Sequence, residues 1–445
     1  MPSIRSPRRS REAGEDDEGG GEVATARTCV ADGLVLFSVS HSPCRLPCSP
    51  FDDVRVHWGV AWVSANHANE ESSSFASGVC FASSMRSGSM AEHRRRFSLT
   101  VELTPFCNQA CRHCYNAFDH TPTGTLATKE LLILLDRALG EVAFERVTFS
   151  GGEPFACESL LPAMELCSTR GIRANVVSNA TLITPRVAQE MARFPSAMIQ
   201  VTLNGPTPEI HDASVGTPGA WQKLHMGVDL LRKNGLTVLG SIVITRCNFD
   251  LVGATLGMMQ AMGITTVVLM RFLTGGMSAL NLDLLPTRSE LLEALRQASQ
   301  AKFRDMSLRV GGPMPPCVLD QEDFPTIRFG SCPAGTSDQD FALGSDGYMR
   351  LCPLFPDAIG DPRTTSVAEI VRSPAVTNYR QRTPEFCRGC VALPRCLGGC
   401  GAAALAASGD ANSLDPIVLQ HTDARFARRT KLARQERIHL GPLNR

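Results

Sequence analysis

The strongest constraint on this chain is a strict alternation of two hydrophobic periods between residues 97 and 272. Six short segments rich in branched and apolar residues, at 98–104, 146–150, 173–178, 197–203, 236–244 and 265–270, predict strands. Helical periods separate them at 126–140, 157–170, 184–193, 220–234 and 249–262, the clearest being Leu126 to Leu139. Strand and helix in such order predict an α/β fold whose parallel strands are joined by right-handed crossovers. Periodicity does not distinguish a curled partial barrel from an open doubly wound sheet, but both bind ligands where the strands' C-terminal ends open.

The segments that follow the strands therefore meet at one mouth. After the first comes Cys107-Asn-Gln-Ala-Cys111-Arg-His-Cys114-Tyr115, three thiols in a tight loop. A closed tetrahedral zinc site or a fully ligated iron–sulfur cluster wants four protein ligands, so one coordination position is left open here. After the second comes Gly151-Gly152-Glu153-Pro154, where two glycines let backbone approach a ligand and proline fixes the exit. Ser178-Asn179 follows the third strand, Asn204-Gly-Pro-Thr-Pro the fourth, and Thr245 and Arg271 end the fifth and sixth. Taken singly, each is ordinary turn and capping chemistry.

Composition narrows the class. The 445 residues can fill two or three domains, and 43% hydrophobic content supplies a substantial core. Forty-four basic residues balance forty-four acidic ones, which gives no global field for nucleic acid or an anionic membrane. The start of the chain lacks a signal-peptide pattern, and its longest early apolar run is far too short to span a bilayer. A reducing, cytoplasmic location is expected, where the seventeen cysteines serve as metal or redox ligands rather than disulfides.

Residues 1–95 lack a sustained period and are expected to be disordered or a non-native extension, with Met90 an alternative start; Cys29, Cys44, Cys48 and Cys80 then have no role. The core is expected over 96–285, a connector with one helix over 286–330, a cysteine-rich region over 331–410 and a tail over 411–445.

Order and position of the mouth motifs supply a resemblance. Cys107-x3-Cys111-x2-Cys114-Tyr115, Gly151-Gly-Glu-Pro154, Ser178-Asn179 and the run Val201 to Asp212 are similar to those of the radical S-adenosylmethionine (SAM) superfamily. The resemblance implies a partial (β/α)6 TIM-like barrel whose cysteine triplet binds three irons of a [4Fe-4S] cluster, with SAM on the fourth. It further implies that Gly151, Gly152, Glu153 and Pro154 hold the SAM amino end. Ser178 and Asn179 would lie along its ribose and carboxylate, Tyr115 against the adenine, and Asn204, Thr245 and Arg271 would complete the cofactor set. Asn204 stands where relatives usually carry Asp.

A second constellation, Cys332-x14-Gly347-x4-Cys352 and Cys387-x2-Cys390-x5-Cys396-x3-Cys400, is open to zinc ribbon, ferredoxin-like cluster or two sites when taken from spacing alone. Downstream of such a barrel it resembles the small α+β SPASM domain, which implies one or two auxiliary [4Fe-4S] clusters. By that analogy Cys332, Cys352 and Cys400 hold the first, with Cys317 as a fourth ligand, and Cys387, Cys390 and Cys396 hold the second. The family supplies a further cysteine after the position of Cys400, but this chain has none there, and His421 or Asp423 falls near the missing place.

The resemblance points to hydrogen abstraction from a peptide or protein, with a flavodoxin or ferredoxin as reductant. Sulfatase maturases carry an acidic residue after the cysteine of Gly-x4-Cys, whereas Pro353 follows Cys352 here. Alternatives are a radical enzyme on a tetrapyrrole or other small molecule, an anaerobic sulfatase maturase, and an electron-transfer protein that does not use SAM. Glu102, Asp212 and Asp346 are expected to be structural.

Overall fold

The structure, a computed structural model, describes residues 30–31, 34–35, 97–116 and 124–422. The chain divides into two units, Met1–Ser83 and Ser84–Arg445. In the first, Val30–Ala31 pairs antiparallel with Leu34–Val35, and the rest of the expectation for residues 1–95 lies outside the described residues. All further description concerns the second unit.

Its strands are β1 (Phe97–Glu102), β2 (Phe144–Ser150), β3 (Arg173–Ser178), β4 (Met198–Thr202), β5 (Thr237–Ile244), β6 (Thr266–Arg271), β7 (Ser307–Gly311), β8 (Ile327–Phe329), β9 (Asp340–Leu343), β10 (Met349–Arg350) and β11 (Ala358–Gly360). They form one sheet in the order β8-β7-β6-β5-β4-β3-β2-β1-β9-β10-β11. Pairing is parallel from β8 through β1 to β9, and antiparallel only in the last two ladders. The order is linear, with ends at β8 and β11, so the sheet stays open.

The six expected strands and the five helices between them are present within a few residues of their expected bounds. Leu131, Leu134, Leu135 and Ala138 turn one face of helix Thr128–Glu141 onto the sheet, as residues three and four apart must. Helix Pro185–Met191 starts from Thr184, whose hydroxyl accepts from Val187 N at 3.2 Å, with proline at its first turn. Residues two apart on the central strands line one fully buried face: Leu99, Val101, Val147, Phe149, Ile199 and Val201 are all inaccessible.

Two features depart from the expected layout. The connector at 286–330 carries β7 and β8, which continue the sheet beyond the sixth strand. The cysteine-rich region is joined to the barrel by β9, which pairs in parallel with β1 through Asp340↔Ser98 to Leu343↔Val101. Phe97 and Phe341 stack edge to face across that seam at 5.4 Å, and Thr100 Oγ1 donates to Asp340 at 3.3 Å. Both thiol-rich regions are therefore built on one sheet.

Candidate functional site

The loop after β1 is held by the segments that follow β2, β3, β4 and β6. Gly152 N and Glu153 N donate to Thr104 O (2.7 Å) and Phe106 O (2.8 Å), zipping the loop after β2 onto it. This approach is too close for side chains. A Cβ on Gly152 would stand 1.9 Å from Phe106 O, and one on Gly151, whose φ is +112°, 2.6 Å from Thr104 O. From the loop after β3, Asn179 Nδ2 donates to Asn108 Oδ1 (2.8 Å) and lies 4.0 Å from Cys107 Sγ, while Asn108 donates to Thr181 Oγ1 (2.8 Å). From the segment after β4, Val215 O accepts from Ala110 N (3.0 Å). From the loop after β6, Ser278 N donates to Cys114 O (2.8 Å), and Arg112 bonds Asn281 (3.0 Å) and Asp283 (2.9 Å).

Glu153, 1% exposed, is the strut of this arrangement. Its carboxylate accepts from Ser178 Oγ (2.7 Å), Asn179 N (2.8 Å) and Phe155 N (3.0 Å), bonds that partly offset the rise burial imposes on its pKa. Its side chain thus braces the loops after β2 and β3, while the backbone of Gly151 and Gly152 lies against Thr104 and Phe106; Pro154 is buried and begins the turn that follows. Ala180 is buried with a left-handed φ of 58°, held by its N–H donating to Ser178 Oγ at 2.8 Å.

Three of the expected cofactor contacts are turned inward. Asn204 is fully buried; its amide reaches His113 Nε2 (3.1 Å), and its carbonyl oxygen accepts from Val243 N (2.9 Å). It therefore braces the cysteine loop from behind through His113, a residue that no motif marks. Burial first, and His211 second, lower the pKa of His113 to about 4, which keeps that ring neutral. Thr245 shares Asn248 Oδ1 between its N–H (2.8 Å) and hydroxyl (3.0 Å) and so closes a turn. Arg271 and Asp415, each 1% exposed, form a buried ion pair through Arg271 Nη2 and Asp415 Oδ2, and Asp415 also accepts from Cys400 N at 2.7 Å. Sequence position alone could not reveal the partners of Asn204 and Arg271, because they come from other elements.

Tyr115 hydrogen-bonds Ser150, and burial raises its pKa. Asp212 and Asp346 are structural as expected: Asp212 receives Gly219 N and Trp221 N, and Asp346 holds Tyr348 N and Arg350 in a turn. Glu102 differs. At the mouth end of β1, accepting from Asn116 Nδ2 at 3.2 Å, its pKa is raised to about 7 by burial, against the pull of Arg350. It is a carboxyl able to hold or release a proton near neutrality, and only its place at the end of a strand could have marked it.

The thiols suit a cluster chemically. Burial, then Cys114 and Cys107, raises the pKa of Cys111, and burial pushes Cys114 up to about 11. The largest causes acting on them include no cation, so a bound metal centre is what would make thiolates of them. Among the described residues, no three His, Cys, Asp or Glu side chains stand close enough to hold a single metal ion. Cys352 and Cys400 are raised likewise, Cys400 to about 11, with Cys332 acting on both. The Tyr379 hydroxyl lies 3.8 Å from Cys332 Sγ.

Cys387, Cys390 and Cys396 form the other set, wound by the Cys390 N to Cys387 O (3.0 Å) and Gly399 N to Cys396 O (2.9 Å) bonds. Leu397, Gly398 and Gly399 all have positive φ, and only so tight a reversal lets the loop turn between Cys396 and Cys400. Cys317, expected beside Cys332, Cys352 and Cys400, has its thiol pKa raised by burial first and then by Cys396 and Cys390. It lies on the connection between β7 and β8. His421 ends helix Pro416–Thr422, but its side chain and Asp423 lie outside the described residues.

Residues 101–248 match the model of the Radical SAM superfamily, and residues 332–391 that of an iron–sulfur cluster-binding domain, SPASM. The PqqA peptide cyclase of Granulibacter bethesdensis is 27% identical over 72% of this chain and 86% of its own length. An AdoMet-dependent heme synthase of Oleidesulfovibrio alaskensis is 32% identical over 33% of this chain and 38% of its own. In fold, the chain is similar to Streptococcus suis SuiB solved with its precursor peptide SuiA (TM-score 0.59, 13% identity, 73% of this chain and 76% of that one). It is also similar to anSMEcpe solved with AdoMet and a peptide (TM-score 0.55, 16% identity, 77% and 99%).

Proposed function

We propose that this chain, in which a Radical SAM domain runs into a SPASM iron–sulfur domain, is a radical SAM enzyme that modifies a peptide or protein. The observation that carries the reading is the convergence of the Cys107–Cys114 loop and the Gly151–Gly152 backbone at one mouth, with a second thiol-rich region on the same sheet. When bound, a [4Fe-4S] cluster supplies one electron to SAM, whose cleavage gives methionine and a 5′-deoxyadenosyl radical that takes a hydrogen atom from substrate. Cys107, Cys111 and Cys114 would hold that cluster, and the Gly151–Gly152 loop packed beside them would take the amino end of SAM. Glu153, Ser178 and Asn179 keep that loop's shape, and Tyr115 borders it. Cys332, Cys352 and Cys400, and Cys387, Cys390 and Cys396, hold auxiliary clusters. Glu102 is a candidate proton carrier at the mouth.

A peptide substrate is supported by likeness to a peptide cyclase along most of that protein's length, and by a fold shared with two enzymes solved with peptides. Pro353 after Cys352 speaks against sulfatase maturation. A tetrapyrrole substrate draws on the heme synthase likeness, which covers a third of the chain. The reductant is a flavodoxin or ferredoxin, and the compartment a reducing cytoplasm; no helix of the described residues is long and apolar enough to cross a membrane.

The test is anaerobic. Reconstituted, dithionite-reduced protein is expected to release 5′-deoxyadenosine from SAM, faster with a short peptide encoded beside its gene, and a Cys107/Cys111/Cys114 to Ala variant to release none. Cleavage that survives the triple variant overturns the reading, and acceleration by a porphyrin precursor but by no peptide reassigns the substrate.

A further inference from the structure

The Cys387-x2-Cys390-x5-Cys396 set lacks the downstream cysteine its family uses, and the fold supplies another thiol from the opposite direction. Between β7 and β8 runs Pro313-Met-Pro-Pro-Cys317-Val318, stiffened by three prolines and turned by the Val318 N to Pro315 O bond (3.0 Å). Arg288 Nε pins Val318 O at 2.6 Å and Gln321 Nε2 pins Met314 O at 3.1 Å, so the position of the turn is fixed by two other elements. Pro313, Met314 and Pro316 of this segment line the same cleft, of about 290 Å³, as Ala392, Arg395 and Cys396 of the cysteine loop. Cys396 and Cys390 stand near enough to add to the rise that burial imposes on the Cys317 thiol, and Cys317 does the same at Cys387.

We infer that Cys317 is the fourth ligand of the auxiliary cluster held by Cys387, Cys390 and Cys396. That cluster is then closed by four thiolates, one drawn from the barrel's own sheet. Cys332, Cys352 and Cys400, beside Tyr379, remain a three-cysteine set, and a ligand role for His421 is not required. The inference rests on reading 332–400 as a cluster-binding region.

The full chain, reconstituted anaerobically, tests this by iron and sulfide content and by EPR of the reduced protein. Cys317→Ala is expected to lose about four iron atoms per chain and the same EPR species as Cys387→Ala, and the double variant to lose no more than either single one. Loss of the species that Cys352→Ala removes, or wild-type iron content, overturns the assignment. A second measurement needs no variant to fold: iron-free wild-type protein is oxidised with diamide and its disulfides are mapped. Bridges from Cys317 to Cys387, Cys390 or Cys396 support the assignment, and any other pairing of Cys317, or none, overturns it. Wild-type protein that never holds iron beyond the barrel cluster would refute the cluster-domain reading itself, a different result from either failure.

Discussion

The two thiol-rich regions are held in different ways. The Cys107–Cys114 loop is gripped by segments following β2, β3, β4 and β6, and much of that grip crosses from one element to another. The Cys387–Cys400 segment is wound mostly on itself by short turns, with Cys390 and Val391 exposed and left-handed backbone at Leu397. The first site is thus shaped by other elements of the barrel, whereas the second is shaped mostly by turns within its own segment. The Arg271–Asp415 pair is the joint between them, because Asp415 also fixes the backbone of Cys400.

Breaking the joint should have the largest effect. Arg271→Met leaves a buried carboxylate without its partner and is expected to cost about 3–5 kcal/mol in chemical denaturation. Asp415→Asn in the same background should restore part of the loss; an effect near zero from the first change would show the pair is not isolated from water. Asn204→Ala removes the brace behind the cysteine loop and leaves the Val243 N–H without its acceptor, at about 1–3 kcal/mol. Reduced iron occupancy of the barrel cluster, with the auxiliary spectra unchanged, is its expected signature.

Chelating the iron sharpens the contrast directly. Trypsin should nick the exposed Arg388 and Arg395 about tenfold faster in iron-free protein, and Arg112, tied to Asn281 and Asp283, at an unchanged rate. Equal acceleration at all three would mean that the barrel loop is no better shaped in advance.

The smallest effect concerns Glu102. Its carboxyl releases a proton at about 7 in the folded chain, against 4.5 ordinarily. Between these values the folded state keeps a proton that the unfolded state has lost, so stability falls as pH rises through the window and the penalty is complete above it. Glu102→Gln should therefore raise Tm by about 2–4 °C at pH 8 and leave it unchanged at pH 4. A shift of equal size at both pH values would assign the effect to packing.

Much of this was legible in the chain because it is local. Alternation from Phe97 to Arg271 announces the strands and helices, and glycine pairs such as Gly151-Gly152 mark close approach wherever they occur. What was not legible depends on distant partners. β9 is four residues long, and its role comes from pairing with β1. β7 was hidden in a short Ser-Leu-Arg-Val-Gly run after a helix. Arg271 at a strand's mouth end suggests a ligand contact until Asp415 arrives from the C-terminal region. Cys317 is nearest, along the chain, to Cys332, while Pro313, Met314 and Pro316 before it line a cleft shared with Cys396.

The seam between β1 and β9 has a further consequence during synthesis. Thr100 and Asp340 lie 240 residues apart, so β1, among the first strands to leave the ribosome, has an open edge until β9 is made. At roughly 5–20 residues per second that edge waits about 10–50 s, presenting Phe97, Leu99 and Val101 to any other nascent strand.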